Sequence, residues 1–112
     1  GASWIVNNWG FDENLPRLAG KAVEGVIGAT PCAFFGQKSD KMDIVVKYAK
    51  KYNPGVPLNK RMIRTVQAWG DAIILWEAMK RADKAGDLSG PGILTKGFET
   101  MRNFHIGLGA SD

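Results

Sequence analysis

Residues 59–86 read NKRMIRTVQAWGDAIILWEAMKRADKAG, and this stretch decides the fold. Its apolar residues recur at helical spacing, which predicts one long helix that Asn59 caps and that ends near Gly86. At about 1.5 Å per residue, this helix would span roughly 40 Å. Its apolar face needs a large partner surface. That face comprises Ile63, Val66, Ala72, Ile73, Met79 and Trp76, and we expect Trp76 to lie in the core.

Three further segments combine a capping residue with helical periodicity. The capping residues are Asp12, Asp40 and Ser89, and the first two helices are expected to end at Gly20 and near Tyr52. The chain therefore contains four predicted helices, three of them strongly amphipathic.

Strand signals are few by comparison. Residues 3–6 and 23–27 predict two short strands, and residues 104–108 are either a third strand or an extended connection. Because helices on a parallel sheet need strands beneath them, so few strands cannot cover four helices. We therefore expect an α/β fold with helix in excess, forming an incomplete part of a larger protein that self-associates through uncovered apolar surface.

Composition is that of an ordinary globular protein, with 45% hydrophobic and 23% charged residues among 112. No apolar run approaches the ~20 residues that span a bilayer, so no membrane insertion is expected. The net charge of +4 is mild and forms no block, which gives no argument for a nucleic-acid partner. The single cysteine, Cys32, follows a proline and precedes apolar residues, so we expect it to be a buried hydrophobe.

No group of residues predicts catalysis, a metal or a cofactor. His105 is the only histidine, whereas a zinc site needs several neighbouring ligands. Residues 107–112, GLGASD, begin like a dinucleotide fingerprint but lack its third glycine. We therefore expect a protein that is not an enzyme.

Aromatic and amide side chains cluster after the first predicted strand. Trp4 and Trp9 flank the Asn7–Asn8 turn, and open α/β proteins bind ligands near the ends of their strands. Each tryptophan taken singly is equally well explained by packing of a helix on the sheet.

Four segments together resemble the branched-chain amino-acid-type, or type I, periplasmic solute-binding proteins of ABC transporters. They occur in the family's order and spacing over nearly the whole chain. They are residues 12–26 (DENLPRLAGKAVEGV), residues 66–82 (with VQAWGDA followed by LWEAMKRA), residues 86–93 (GDLSGPGI) and residues 104–108 (FHIGL). The chain departs from the family pattern at Ala68, where glycine is usual, at Arg64, where an aromatic is frequent, and at His105, where aspartate is common.

The resemblance implies a protein of two α/β lobes that close on a ligand held in the cleft between them. Residues 1–27 would be the end of the second lobe and a crossover strand, and residues 28–112 would be helices returning to the first lobe. Such a protein is periplasmic or extracellular, lipid-anchored in a Gram-positive organism, and has an ABC permease as its partner. The ligand would be an amino acid, an amide or a small aromatic acid.

Two other functions remain open. One is a ligand-sensing receptor domain of the same fold, and the other is a fragment of a doubly wound α/β enzyme. A cluster of titratable groups with perturbed pKa values in one cavity would favour the enzyme.

The predicted ligand-binding residues are Ser3, Trp4, Asn7 and Asn8 on the second-lobe side and Arg64 on the first-lobe side. The guanidinium of Arg64 would suit a carboxylate, because its N–H groups can pair with both oxygens. The alternative for Arg64 is a surface residue in the first turns of the long helix.

Overall fold

A computed structural model describes residues 2–109 of the chain. Over these residues the fold is mixed and rich in helix, with four α-helices and two short parallel strands. The strands are β1 (Ile5–Val6) and β2 (Ile27–Gly28), and the helices are α1 (Asn14–Ala19), α2 (Met42–Tyr52), α3 (Ile63–Lys84) and α4 (Gly90–Gly92). Helix α4 continues through a π-helical turn, Ile93–Gly97, into a 3₁₀ turn, Phe98–Thr100.

Strands β1 and β2 form a parallel pair joined through α1. Ile5 lies opposite Ile27 and Val6 opposite Gly28. The ring of Phe11 packs directly over Gly28, where a Cβ atom would lie 1.9 Å from the ring, so this position requires glycine. The pair is thus the start of a βαβ arrangement, as expected for an α/β fold.

The prediction of a strand over residues 23–27 was wrong in its position. Residues 20–23 form a 3₁₀ turn, Gly20–Val23, and Gly25 has a φ of 84°. This left-handed conformation turns the chain, and the N–H of Val26 donates to the carbonyl of Val23 over 3.0 Å. The backbone therefore becomes extended only at Ile27.

Helix α2 lacks the predicted cap. It begins at Met42, and the side chain of Asp40 instead contacts His105, with 2.7 Å between Oδ2 and Nε2. Its other end is fastened by Arg61, whose Nη2 donates to the carbonyls of Ala49 (3.0 Å), Val56 (3.1 Å) and Asn53. A guanidinium at this position also complements the negative end of the helix dipole.

Helix α3 begins four residues later than the predicted cap, Asn59. Asn59 is used in a separate 3₁₀ turn, Leu58–Lys60, and the next two residues are extended. The N–H of Ile63 donates instead to Oε1 of Glu13 over 2.8 Å, so the cap comes from the beginning of α1. Helix α3 ends at Lys84, and Gly86 with a φ of 73° turns the chain away, close to the predicted end.

The core joins α2, α3 and the loop that follows β2. Its buried members are Cys32, Ala33, Met42, Val45, Ile63, Val66 and Leu108. Residues 104–108 are not a strand. They form an irregular connection that bends at Gly107 (φ 80°), in which the carbonyls of Leu108 and Gly107 accept from the N–H groups of Ala33 (2.8 Å) and Lys41 (2.9 Å).

Several large apolar side chains are not covered. Trp76 is 61% exposed, so its predicted place in the core was wrong, because it lines an open groove between α2 and α3. Ile5 and Ile27 lie opposite each other on the sheet and are 77% and 62% exposed. Self-association stays a prediction, and these faces are the surfaces through which we expect it.

The last helical segment has the cap that the sequence predicts. The hydroxyl of Ser89 accepts the N–H of Gly92 at 3.1 Å. Asp87 supports this turn, because its Oδ1 accepts from the Ser89 hydroxyl (2.5 Å) and N–H (3.1 Å) while Oδ2 lies 3.0 Å from Nζ of Lys96. These hydrogen bonds from Ser89 and Lys96 lower the pKa of Asp87 to about 2.

Replacing Asp87 with asparagine should therefore lower stability in a pH-dependent way. A carboxyl whose pKa is depressed in the folded state stabilises the fold fully above its unfolded pKa, here 3.8, and loses that effect as the pH falls through about 2. Thermal unfolding of wild type and Asp87→Asn should show a constant difference at neutral pH that shrinks below about pH 4. Asp83→Asn, at an exposed position on α3, is the control, and its stability difference from wild type should not depend on pH in this way. If the stability difference between wild type and Asp87→Asn does not shrink below about pH 4, the interpretation is contradicted.

Candidate functional site

A groove of about 560 Å³ lies between α3, the loop after β1 and residues 104–109. Its walls are mostly apolar, with a few polar side chains among them. The lining residues are Asn8, Trp9, Pro31, Cys32, Val66, Gln67, Gly70, Asp71, Ile74, Phe104, His105, Ile106, Gly107, Leu108 and Gly109. We call it the α3 groove.

One wall of the α3 groove is held in place by buried backbone contacts. Gly107 has a φ of 80°, a conformation that favours glycine, and a Cβ atom there would lie 2.9 Å from the Lys41 side chain. Leu108 is then buried, and its carbonyl accepts the N–H of Ala33. Phe104, His105 and Ile106 consequently line the groove.

The opposite wall is a turn at the carboxyl end of β1. Oδ1 of Asn7 accepts the N–H groups of Trp9 (3.1 Å) and Gly10 (3.2 Å), a local turn that asparagine favours. Asn7 itself is absent from the groove lining, whereas Asn8 and Trp9 belong to it. Asn7 therefore acts on the groove by shaping the turn.

Arg64 fastens this turn to α3. Its Nη2 donates to the carbonyls of Asn8 (3.3 Å) and Trp9 (3.0 Å), and its Nη1 donates to Oε1 of Gln67 (2.9 Å). The guanidinium lies 4.6 Å from the centre of the Trp9 ring, and Nη2 is 3.9 Å from Oδ2 of Asp12. The structure thus places Arg64 beside Asn8, with both of its terminal nitrogens engaged within the chain.

Ser3 and Trp4 lie away from the α3 groove. Both are exposed and neither lines it. Trp4 contributes its carbonyl to the strand pair, where it accepts the N–H of Ile27 over 3.0 Å. The structure therefore brings together Asn8 and Arg64 among the predicted residues.

Sequence reasoning missed Gln67 and Asp71, which form the polar part of the α3 wall. They stand four residues apart and so lie on one face of the helix. Polar residues on a helix normally face solvent. Gln67 and Asp71 line a groove because residues 104–109 cross this face of α3, and the sequence does not show that crossing. A polar pair beside Gly70, in a segment flanked by apolar residues, is the one signal present in the sequence.

Cys32 lies at the base of the groove and is buried, as predicted. Burial raises the pKa of the Cys32 thiol. Arg64 opposes this shift, whereas the Glu13 and Asp71 carboxylates add to it. The thiol is therefore protonated at neutral pH, which does not suit a nucleophile.

His105 stands at the edge of the groove with its Nε2 against Asp40. Within residues 2–109, no three His, Cys, Asp or Glu side chains are grouped to hold a metal ion. No helix in that range is long and apolar enough to cross a membrane. Of the partial dinucleotide fingerprint, residues 110–112 lie outside the described residues.

A second groove, of about 570 Å³, lies between α2 and α3. It contains Ile44, Trp69, Trp76 and Phe104, with Lys41 and Lys80 among its charged residues. Glu77, its acidic residue, is already paired with Lys80 at 2.7 Å and with Arg81 at 2.8 Å. It offers fewer free polar groups than the α3 groove, which is therefore the better candidate for a ligand site.

Comparisons with protein-family models, with curated proteins and with solved structures found no match to this chain.

Replacing Arg64 with alanine should destabilise the protein by about 1–2 kcal/mol, because hydrogen bonds from a charged donor to the Asn8 and Trp9 carbonyls are lost. Arg64→Lys should recover only part of this, since an ammonium cannot reach both carbonyls and Gln67 together. Urea unfolding measures the change in free energy. The matched control is Arg17→Ala on the exposed face of α1, which should change it by less than about 0.5 kcal/mol. An equally small effect at Arg64 would refute the proposed role.

Proposed function

We propose that this chain is part of a non-enzymatic solute-binding protein of the type I periplasmic class, which captures a small molecule for an ABC importer. The ligand is an amino acid, an amide or a small aromatic acid, and the protein works outside the cytoplasm. One observation carries the proposal: the α3 groove opens beside the carboxyl end of β1, where Asn8 and Trp9 face Gln67 and Asp71.

The position of the groove supports ligand binding. In open α/β proteins, ligands bind outside the carboxyl ends of parallel strands. Strand β1 is parallel to β2, and Asn8 follows β1 by two residues. The amide of Asn8 can both donate and accept, as a specific contact to a small polar ligand requires.

The size and lining of the groove support the same conclusion. Small-molecule sites enclose about 300–1,000 Å³ and combine mostly apolar walls with a few polar groups. The α3 groove encloses about 560 Å³ and combines Trp9, Ile74 and Phe104 with the amides of Asn8 and Gln67. A ligand with an apolar body and one or two polar groups fits this lining.

The resemblance of four ordered segments to type I solute-binding proteins supports a role in transport. The exposed pair Ile5 and Ile27 agrees with it, because parallel sheets are normally covered on both faces and extend over more strands. In the proposal, β1 and β2 belong to a larger sheet of one lobe, and α2 and α3 belong to the other.

The state of Cys32 favours binding over catalysis. Burial keeps the Cys32 thiol protonated. The thiol is therefore not prepared as a nucleophile.

Calorimetric titration with a panel of amino acids, their amides and small aromatic acids tests the proposal. At least one ligand should bind and be recovered chemically unchanged. Asn8→Ala should weaken its binding by about tenfold, because a hydrogen bond in a partly desolvated groove is lost. Asn59→Ala, at an exposed position outside the groove lining, is the matched control and should leave affinity unchanged. Conversion of the ligand, or no binding by any member of the panel, would refute the proposal.

A further inference from the structure

Of the two charged residues of α3 beside the groove, Arg64 has a partner of opposite charge and Asp71 has none within the described residues. Arg64 stands behind the Asn8–Trp9 turn and has Asp12 at 3.9 Å. Asp71 is exposed and lines the groove, and among residues 2–109 no basic side chain forms an ion pair with it. The other titratable groups of the lining are His105 and Cys32. The lining, as residues 2–109 form it, therefore contains one carboxylate, Asp71, and no lysine or arginine.

The position of Asp71 directs this charge towards the groove. It follows Gln67 by four residues on α3, so the two share a face, and Ile74 continues the wall on the next turn. Gly70, beside Asp71, and Val66, one turn before Gly70, line the same wall. Trp9 and Phe104 supply aromatic surface in the same groove.

From this arrangement we infer that the α3 groove selects a ligand that carries a protonated amine or amidinium, with Asp71 as its counter-ion. The inference rests on the proposed function and narrows its ligand. The cationic group pairs with the Asp71 carboxylate, the amides of Asn8 and Gln67 contact polar groups beside it, and the apolar body lies against Trp9 and Phe104. Because an ammonium is a strong donor, a free carboxylate is its natural acceptor.

The same geometry argues against a simple carboxylate as ligand. The sequence-based expectation places a carboxylate on Arg64, yet both terminal nitrogens of Arg64 donate to Asn8, Trp9 and Gln67. A carboxylate in the groove would also face Asp71 without an unpaired cation in the lining to offset it. Like charges at short range in a partly desolvated site are unfavourable.

Three probes with one shared aromatic body test the inference: phenethylamine, N-acetylphenethylamine and hydrocinnamate. At neutral pH the first is a cation, the second is neutral and the third is an anion. Calorimetric titration of the whole chain should give the highest affinity for the amine and the lowest for the acid. Asp71→Asn should weaken amine binding about fivefold and leave the neutral amide unchanged.

The matched control is Asp83→Asn, which removes the same charge from an exposed position of α3 outside the groove lining. It should leave the affinity for all three probes unchanged. Raising NaCl from about 20 mM to about 500 mM should weaken amine binding to wild type and to Asp83→Asn, but much less to Asp71→Asn, because salt screens the charge pair. Circular dichroism verifies that both variants remain folded.

The outcomes separate this inference from the proposed function. Tighter binding of hydrocinnamate, or equal loss in Asp71→Asn and Asp83→Asn, overturns the role of Asp71 while leaving solute binding intact. Failure of all three probes together with binding of a carboxylic acid from the wider panel does the same. Failure of the probes and of the whole panel overturns both.

Discussion

The carboxylate of Glu13 caps a helix that begins 50 residues further along the chain. The first N–H groups of a helix have no partner within it, and its N-terminus carries partial positive charge. Ile63 is fully buried, so its N–H would otherwise lack both water and a partner. Glu13 supplies the acceptor at 2.8 Å and so ties the βαβ unit to α3. Arg64, the next residue, donates to the Asn8 and Trp9 carbonyls, so the first two residues of α3 both contact the βαβ unit.

The helices could be predicted from the sequence because their signals are local. Periodicity located α2 and α3, and Ser89 caps the last helical segment as expected. The caps of α2 and α3 could not be predicted in this way. Asp40 and Asn59 are residue types that favour the N-cap position, and each precedes a predicted helix. The residue that caps α3 is instead Glu13, which is remote in sequence. Nothing in the sequence indicates that a glutamate before the short helix α1 caps a different helix, or that Asp40 contacts His105.

The candidate site was predictable on one side only. The rule that ligands bind at the carboxyl ends of parallel strands identified Asn8, because it depends only on the order of strand and turn. It also selected Ser3 and Trp4, which precede β1 and are exposed to solvent. Gln67 and Asp71 could not be found, since whether a polar helical residue faces solvent or a groove depends on where residues 104–109 cross α3. The contacts of Arg64 depend in the same way on the position of the turn.

Backbone amide hydrogen exchange at Ile63, followed by NMR, tests the central claim most directly. If Glu13 holds α3 to the βαβ unit, Glu13→Ala should speed exchange of the Ile63 amide and lower the free energy of unfolding by about 1–2 kcal/mol. It should also shift the amide resonances of Asn8 and Trp9, which Arg64 links to the same end of α3. Glu13→Gln keeps an acceptor oxygen and should retain part of the protection, and Glu24→Ala at an exposed position should change none of these quantities. Unchanged exchange at Ile63 in Glu13→Ala, with the Asn8 and Trp9 resonances unmoved, would contradict the account.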